Sequence, residues 1–260
     1  MENTQKGDSM AISTQNSSKA DYGLDAPGLV RGFLLSGGTA GIIGIGLLLW
    51  GAQLPNWLLG GLGIYILLTG VCFAGTSTLM LRSSRVGKLH MRDRLLDTLH
   101  LAGNEQVLDV GCGRGLLLIG AAKRLPQGRA VGIDLWSQKD QASNSKVATL
   151  ANAAAEGVAE RVQVEDGDMR SLPFPDASFE VVVSSLAIHN IPNRDGRRTA
   201  INEIVRVLKP GGNVALLDFT KTGEYAEDLQ TAAMQNIQRS KRSLGMWPPV
   251  RIVTAVKPHP

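Results

Sequence analysis

Cysteine is nearly missing: Cys72 and Cys112 are the only two in 260 residues. One lies in an apolar run and the other in a glycine-rich loop, so neither a disulfide framework nor a zinc-ligand spacing is available. A reducing compartment fits this usage, and no metal-ligand set is read from the chain. Charge is missing from one long stretch. The 49 residues from 33 to 81 contain no Asp, Glu, Lys or Arg. A spanning helix needs about 20 apolar residues, and a soluble helical hairpin would have to bury almost all of this run. The first 26 residues have few large apolar side chains and cannot offset the entropy of ordering. A disordered polar tail is expected over residues 1–32. A signal peptide is not expected, because the apolar run starts too late and lasts too long.

What is present divides the rest. The uncharged run breaks at Pro55-Asn56, giving spans near 33–54 and 57–81, with Trp50 and Trp57 flanking the turn as interface anchors would. Gly37 and Gly41 on one span, and Gly60, Gly61 and Gly63 on the other, are candidates for close helix contact. Arg82, Arg85, Lys88, Arg92 and Arg94 follow the second span, Lys19 and Arg31 precede the first, and the turn is uncharged. The positive-inside rule then places both termini and the domain beyond the spans in the cytoplasm.

Residues 82–260 read as a soluble α/β domain. Strands are expected near 106–110, 130–134, 161–164, 179–184 and 213–219, with a closing hairpin near 236–240 and 250–256. Helical patterns over 115–125, 143–156, 197–208 and 225–234 alternate with them. The pattern predicts a doubly wound, mostly parallel seven-stranded sheet of Rossmann-like type, preceded by a two-helix transmembrane hairpin over 33–81.

The first strand runs into Asp109-Val110-Gly111-Cys112-Gly113-Arg114-Gly115 and then a helix. Glycines there permit a tight turn and close approach of backbone to ligand, and the helix start offers free N–H groups. The spacing is G-x-G-x-G, not the full dinucleotide G-x-G-x-x-G. Asp109 could attract the ammonium of a bound amino acid, which a nicotinamide site does not need. Asp134 ends the second strand, where a carboxylate can accept from ribose hydroxyls. Asp168 and Met169 follow the third, where they could meet an adenine; alone, Asp168 would be an ordinary turn residue.

Four segments carry a family resemblance: VLDVGCGRG (107–115), VGIDLW (131–136), GDMRSLPFPDASFEVVVSS (167–185) and EIVRVLKPGG (203–212). In this order and spacing they resemble the class I S-adenosylmethionine (SAM)-dependent methyltransferases, in particular the type 11 branch. The resemblance implies SAM as cofactor. It implies Asp109, Gly111 and Gly113 at the methionine part, Asp134 with neighbouring Leu135 at the ribose, and Asp168 with Met169 at the adenine. It also implies Ser184 beside the transferring methyl. Glu180 replaces the more usual Asp before the fourth strand. The two spans are no part of the family core.

Residues 184–190, just beyond the fourth strand, should face the methyl. His189 is the candidate general base, with a structural histidine as the competing reading. Asp218 is a second candidate, more simply a turn cap. No Asn-Pro-Pro-Tyr-like sequence follows the fourth strand, which argues against methylation of adenine or amide nitrogen. Trp136, Asp140, Gln141 and Asn144 form a polar group near the cofactor strand. The basic stretch 82–94 abuts a span, favouring anionic lipid over nucleic acid. The acceptor expected is a small or lipid-like molecule such as a quinone, isoprenoid or lipid. The alternatives are a nicotinamide-dependent oxidoreductase and a non-catalytic SAM-binding membrane scaffold.

Overall fold

In the computed structural model, residues 20–54, 56–137 and 144–259 are described. Two long helices come first, α1 (Pro27–Gln53) and α2 (Trp57–Arg82). Pro27 opens α1 with a preset φ. Pro55 of the expected break lies outside the described residues, while Asn56 caps α2, its Oδ1 accepting from the amides of Leu58 and Leu59 at 3.1 and 3.3 Å. At 1.5 Å per residue each helix is about 40 Å long. Both are long and apolar enough to cross a membrane, and little of either is buried inside the protein.

The helices meet along Gly37, Gly44 and Gly51 of α1 and Gly63, Gly70 and Ser77 of α2. A seven-residue spacing keeps one face of each helix toward the other. A Cβ on Gly44 would lie 2.8 Å from the Leu67 amide and 2.9 Å from the Gly63 carbonyl, so the backbones touch. Of the glycines singled out from the sequence, Gly37 and Gly63 are in this seam, whereas Gly41, Gly60 and Gly61 face open space.

Helix α2 does not stop at its charged end. It continues through a π-helical turn, Ser83–Gly87, into α3 (Lys88–Asp97), whose Met91, Leu95 and Leu96 join the core on one face of the sheet. Hairpin and domain therefore share one unbroken helix. The domain follows as β1 (Gln106–Val110), α4 (Leu116–Lys123), β2 (Arg129–Asp134), α5 (Lys146–Ala155), β3 (Val162–Asp166), β4 (Phe179–Ser185), α6 (Arg194–Val207), β5 (Leu208–Asp218), α7 (Thr222–Thr231), β6 (Gln235–Arg239) and β7 (Arg251–Val256).

The sheet order is β3-β2-β1-β4-β5-β7-β6, with β7 antiparallel to both neighbours. Strand alternation splits the core in two. Val107, Val181, Val183, Ala215 and Leu217 face α3 and α4. Leu108, Val110, Val182, Val214 and Leu216 face α6 and α7. Lys209–Gly212, between the helical pattern expected to end at 208 and the strand expected from 213, is inside β5. Pairing jumps there from Phe179–Leu208 to Val181–Asn213, so these residues bulge out of the ladder.

The polar tail is not uniform. Residues 1–19 lie outside the described residues, but 20–25 pack on the domain. Tyr22 is buried, the Asp21 amide donates to Asn152 Oδ1 at 2.9 Å, and Lys88 Nζ donates to the carbonyls of Tyr22 and Gly23. Partners distant in sequence supply the hydrogen bonds that the tail's composition does not predict.

Candidate active site

The chain leaves β1 outward to β2 and β3, then returns to β4 on the other side of β1. This reversal is the switch point at which open α/β sheets bind ligands, beyond the carboxyl ends of their strands. A cavity of about 1100 Å³ occupies that position. Its wall includes Asp109, Gly111, Cys112, Gly113, Asp134, Leu135, Asn144, Asp168, Met169 and His189.

Gly111 and Gly115 have φ of +75° and +85°. A Cβ on Gly111 would lie 2.3 Å from Ala187 Cβ, in the segment after β4. Only glycine lets these two loops close together. Asp109 is fully buried, and its Oδ2 accepts from the Leu118 amide in the first turn of α4 at 2.9 Å. Burial pushes its carboxyl up to about 8, with the nearby Asp134 charge adding to the effect and the Leu118 N–H opposing it. Burial, with Asp109 and Asp134, also pushes the Cys112 thiol up, so this cysteine is an inert small side chain.

Asp134 accepts from the Gly113 amide at 2.8 Å and the Trp136 amide at 2.6 Å. It thereby ties the glycine loop to the end of β2, and a carboxylate has acceptor sites to spare beyond these two. Asn144 Nδ2 donates to Asp134 Oδ1 at 3.3 Å, while its Oδ1 is buried with no hydrogen-bond partner among the described residues. Trp136 turns instead to β3, its indole N–H donating to Asp166. Asp140 and Gln141 lie outside the described residues.

Asp168 is less free than the sequence suggests. Arg170 grips its carboxylate, Nε to Oδ2 at 2.9 Å, and this hydrogen bonding holds the acid below its ordinary value. Ser184 needs correction. It is 2% exposed, its Oγ donates to the Val110 carbonyl at 2.7 Å, and it is absent from the cavity wall. Side chains alternate along a strand, so Ser185, followed by Leu186 and Ala187, takes the cavity side. Glu180 is structural, accepting from the Gln106 amide at 2.8 Å and pairing with Lys209.

His189 and Asp218, weighed separately in the sequence, meet here. His189 Nδ1 is 3.0 Å from Asp218 Oδ1 and 3.1 Å from Oδ2. Asp218 is buried, and Oδ2 also accepts from Tyr225 Oη at 2.9 Å. Its Oδ1 accepts from the Phe219 amide at 2.8 Å, so it caps the turn as well. Burial and the Asp218 charge push the Tyr225 phenol far up, keeping it a donor. The Phe219 ring packs edge-on against the imidazole at 4.7 Å. Arg197, buried and paired with Glu224, donates to the carbonyls of Ile191 and Pro192 and fixes the loop that carries His189. Sequence reading missed Arg197 and Tyr225.

A SAM molecule fits what this cleft offers. The glycine cradle, the spare acceptor capacity of Asp134 and the orphaned Asn144 Oδ1 match the hydroxyls and amino groups of an adenosyl amino acid.

Comparison with known proteins agrees. Residues 107–212 match the family model described as a methyltransferase domain. A demethylmenaquinone methyltransferase of Lactiplantibacillus plantarum is 34% identical over 133 residues, 51% of this chain and 52% of that protein. A sterol 4-C-methyltransferase of Caenorhabditis elegans is 30% identical over 134 residues, 52% of this chain and 37% of that protein. The chain thus spans about half the length, or less, of these curated relatives. The crystal structure of a SAM-dependent methyltransferase from Aquifex aeolicus shares the fold, with a TM-score of 0.52 at 19% identity over 70% of this chain and 97% of that one. Residues 107–212 therefore match a methyltransferase domain, and the chain carries the fold of a solved SAM-dependent methyltransferase.

Proposed function

We propose that the protein is a membrane-anchored enzyme that moves a methyl group from SAM to a lipid-like acceptor such as a quinone, isoprenoid or lipid. The observation that carries this reading is the meeting, in one cavity, of the glycine loop with a carboxylate-held histidine. The donor, when bound, supplies a methyl on a positively charged sulfur that leaves neutral. The chain's own task is then largely positioning, worth about 7–11 kcal/mol when the geometry is right.

Asp109, Gly111 and Gly113 are assigned to the amino-acid end of the donor, Asp134, Leu135 and Asn144 to the ribose side, and Asp168 and Met169 to the adenine. His189 removes the proton that an acceptor hydroxyl or activated carbon must lose. Asp218 fixes Nδ1–H of its ring, which leaves Nε2 as the base and stabilises the imidazolium that forms. This tautomer follows from the hydrogen bond that the carboxylate requires.

The acceptor class and the anchor share one physical argument. The outer faces of α1 and α2 expose Leu35, Ile42, Leu49 and Leu68, apolar surface that a bilayer would cover. Arg31 and Arg82 stand at the two feet of the hairpin, beside the domain, which supports a domain on the cytoplasmic side. The relatives named for a quinone and a sterol substrate point the same way.

The test is transfer from methyl-labelled SAM by the purified protein. Label should enter an organic-soluble product from membrane extract and not the aqueous fraction. Equal labelling of both fractions would remove the lipid-like acceptor. Tight SAM binding with no transfer to either would leave a scaffold.

A further inference from the structure

The same cavity has a second half that the cofactor assignment does not use. Beyond Asp109 and His189 its wall continues through Met91, Met246, Trp247, Met80 and Leu29. Ligand pockets commonly enclose about 300–1,000 Å³, and this cavity, at about 1100 Å³, is as roomy as the largest of them. Its second half runs to the feet of the hairpin. Leu29 is in the first turn of α1, two residues before Arg31, and Met80 is two residues before Arg82 at the end of α2. In a bilayer those arginines mark the headgroup level.

The chemistry of this arm is apolar. Leu29 is 58% exposed and Trp247 39% exposed, large side chains left open where the arm meets solvent. Met91 and Met246 are buried along it, and methionine adapts its shape to what it touches. The polar groups on its wall already have partners. Lys88 Nζ is taken by the Tyr22 and Gly23 carbonyls and by Asp25. Ser84 Oγ accepts from the Asp25 amide and donates to its carboxylate, both at 3.1 Å. A polar ligand would find few free donors there, whereas a hydrocarbon chain would find a lined slot.

The arm is also built into the frame. The Trp247 amide donates to Ser83 Oγ in the π turn at 2.9 Å. A Cβ on Gly87 would lie 2.2 Å from the Gly245 carbonyl, so the loop that carries Met246 is pressed against the helix joining hairpin to domain.

We propose that this arm seats the hydrocarbon chain of the methyl acceptor, which enters sideways from the bilayer between Leu29, Met80 and Trp247 with its reactive head toward His189. The proposal rests on the membrane-anchored methyltransferase reading and adds where, and from which phase, the acceptor binds.

The test uses the full chain in phosphatidylcholine–phosphatidylglycerol vesicles with S-adenosylhomocysteine present. One probe is a long-chain alkyl hydroquinone with a photoactivatable diazirine in its chain. The other is a phosphatidylcholine with the same group in an acyl chain. Labelled residues are mapped by mass spectrometry. The hydroquinone should label Met246 and Met91, and the phospholipid should label only outer-face residues such as Leu35 and Ile42. Met80→Trp, and separately Leu29→Trp, should plug the arm and cut hydroquinone labelling of Met246 at least about fivefold, a change of about 1 kcal/mol, with S-adenosylhomocysteine affinity kept. Hydroquinone label confined to the outer faces overturns the proposal, and so does equal labelling of Met246 by the phospholipid. Failure of the wild-type protein to bind S-adenosylhomocysteine is read separately and counts against the methyltransferase reading instead.

Discussion

The imidazole of His189, on the segment that leaves β4, and the buried carboxylate of Asp218, at the end of the adjacent β5, stand 3.0 Å apart. Asp218 is held in turn by Tyr225 and by two backbone amides, Phe219 and Thr220. A carboxylate tied on that side has little freedom to move, and the histidine it holds inherits this rigidity.

Removing the base should therefore cost turnover and spare the cofactor. His189→Ala is expected to lower kcat by about 100-fold or more, within the range usual for general bases, with S-adenosylhomocysteine affinity unchanged. Asp218→Asn keeps a hydrogen-bond acceptor for Tyr225 but loses the charge that stabilises the imidazolium. It should lower kcat by about 10-fold or more and leave KM for the acceptor nearly unchanged. Steady-state kinetics on both variants, beside a titration with S-adenosylhomocysteine, checks this.

Asp109 gives the cofactor site a pH dependence of definite sign. Without ligand its carboxyl titrates near 8 instead of 3.8, chiefly because it is buried. If it faces the ligand's ammonium, binding below that pH must first expel a proton. Affinity for S-adenosylhomocysteine should then rise about fivefold between pH 7 and pH 8 and level off above. Stability runs the other way. A raised folded-state value means the contribution is complete below 3.8 and is lost as pH climbs through about 8. Asp109→Asn should lose less Tm than the wild-type protein between pH 5 and pH 8.5, as calorimetry would show.

Gly111→Ala combines a strained backbone, φ of +75°, with a 2.3 Å clash against Ala187. The strain alone costs about 1–3 kcal/mol. Thermal denaturation should show a lower Tm, and cofactor binding should be lost. Adding Ala187→Gly should restore part of the stability, because it removes the clash and leaves the strain.

In the hairpin, Gly44 and Gly41 make a matched pair. A Cβ at position 44 meets the backbone of α2, whereas one at 41 meets nothing within 4 Å. Gly44→Leu should separate the helices and Gly41→Leu should not. Cysteine crosslinking of Val30→Cys to Ser77→Cys reads this directly, since Ser77 Oγ donates to the Val30 carbonyl at 3.1 Å.

The sheet was legible because its buried strands are short apolar runs, and the glycine loop because its residues are contiguous. β1 falls at 106–110 as the sequence indicates. Contacts between distant segments were not legible. His189 and Asp218 are 29 residues apart and look like two unrelated candidates until the sheet brings β4 and β5 together. Ser184 failed by one residue, and one residue along a strand exchanges the two faces. The order in residues 20–25 comes from Asn152, Arg114 and Lys88, none of which is near in sequence. One signal was present and overlooked. The seam of the hairpin follows a seven-residue repeat of small side chains, at 37, 44 and 51 and at 63, 70 and 77, a repeat to which Gly41, Gly60 and Gly61 do not belong.

The account stands or falls on what the cleft beyond β1, β2 and β3 holds. The direct measurement is calorimetric titration of the purified 260-residue chain with S-adenosylhomocysteine and, separately, with NADH. The account predicts one S-adenosylhomocysteine per chain, bound at least about tenfold more weakly by Asp134→Ala (about 1.4 kcal/mol), and no NADH. Saturable NADH binding with no response to S-adenosylhomocysteine would contradict it.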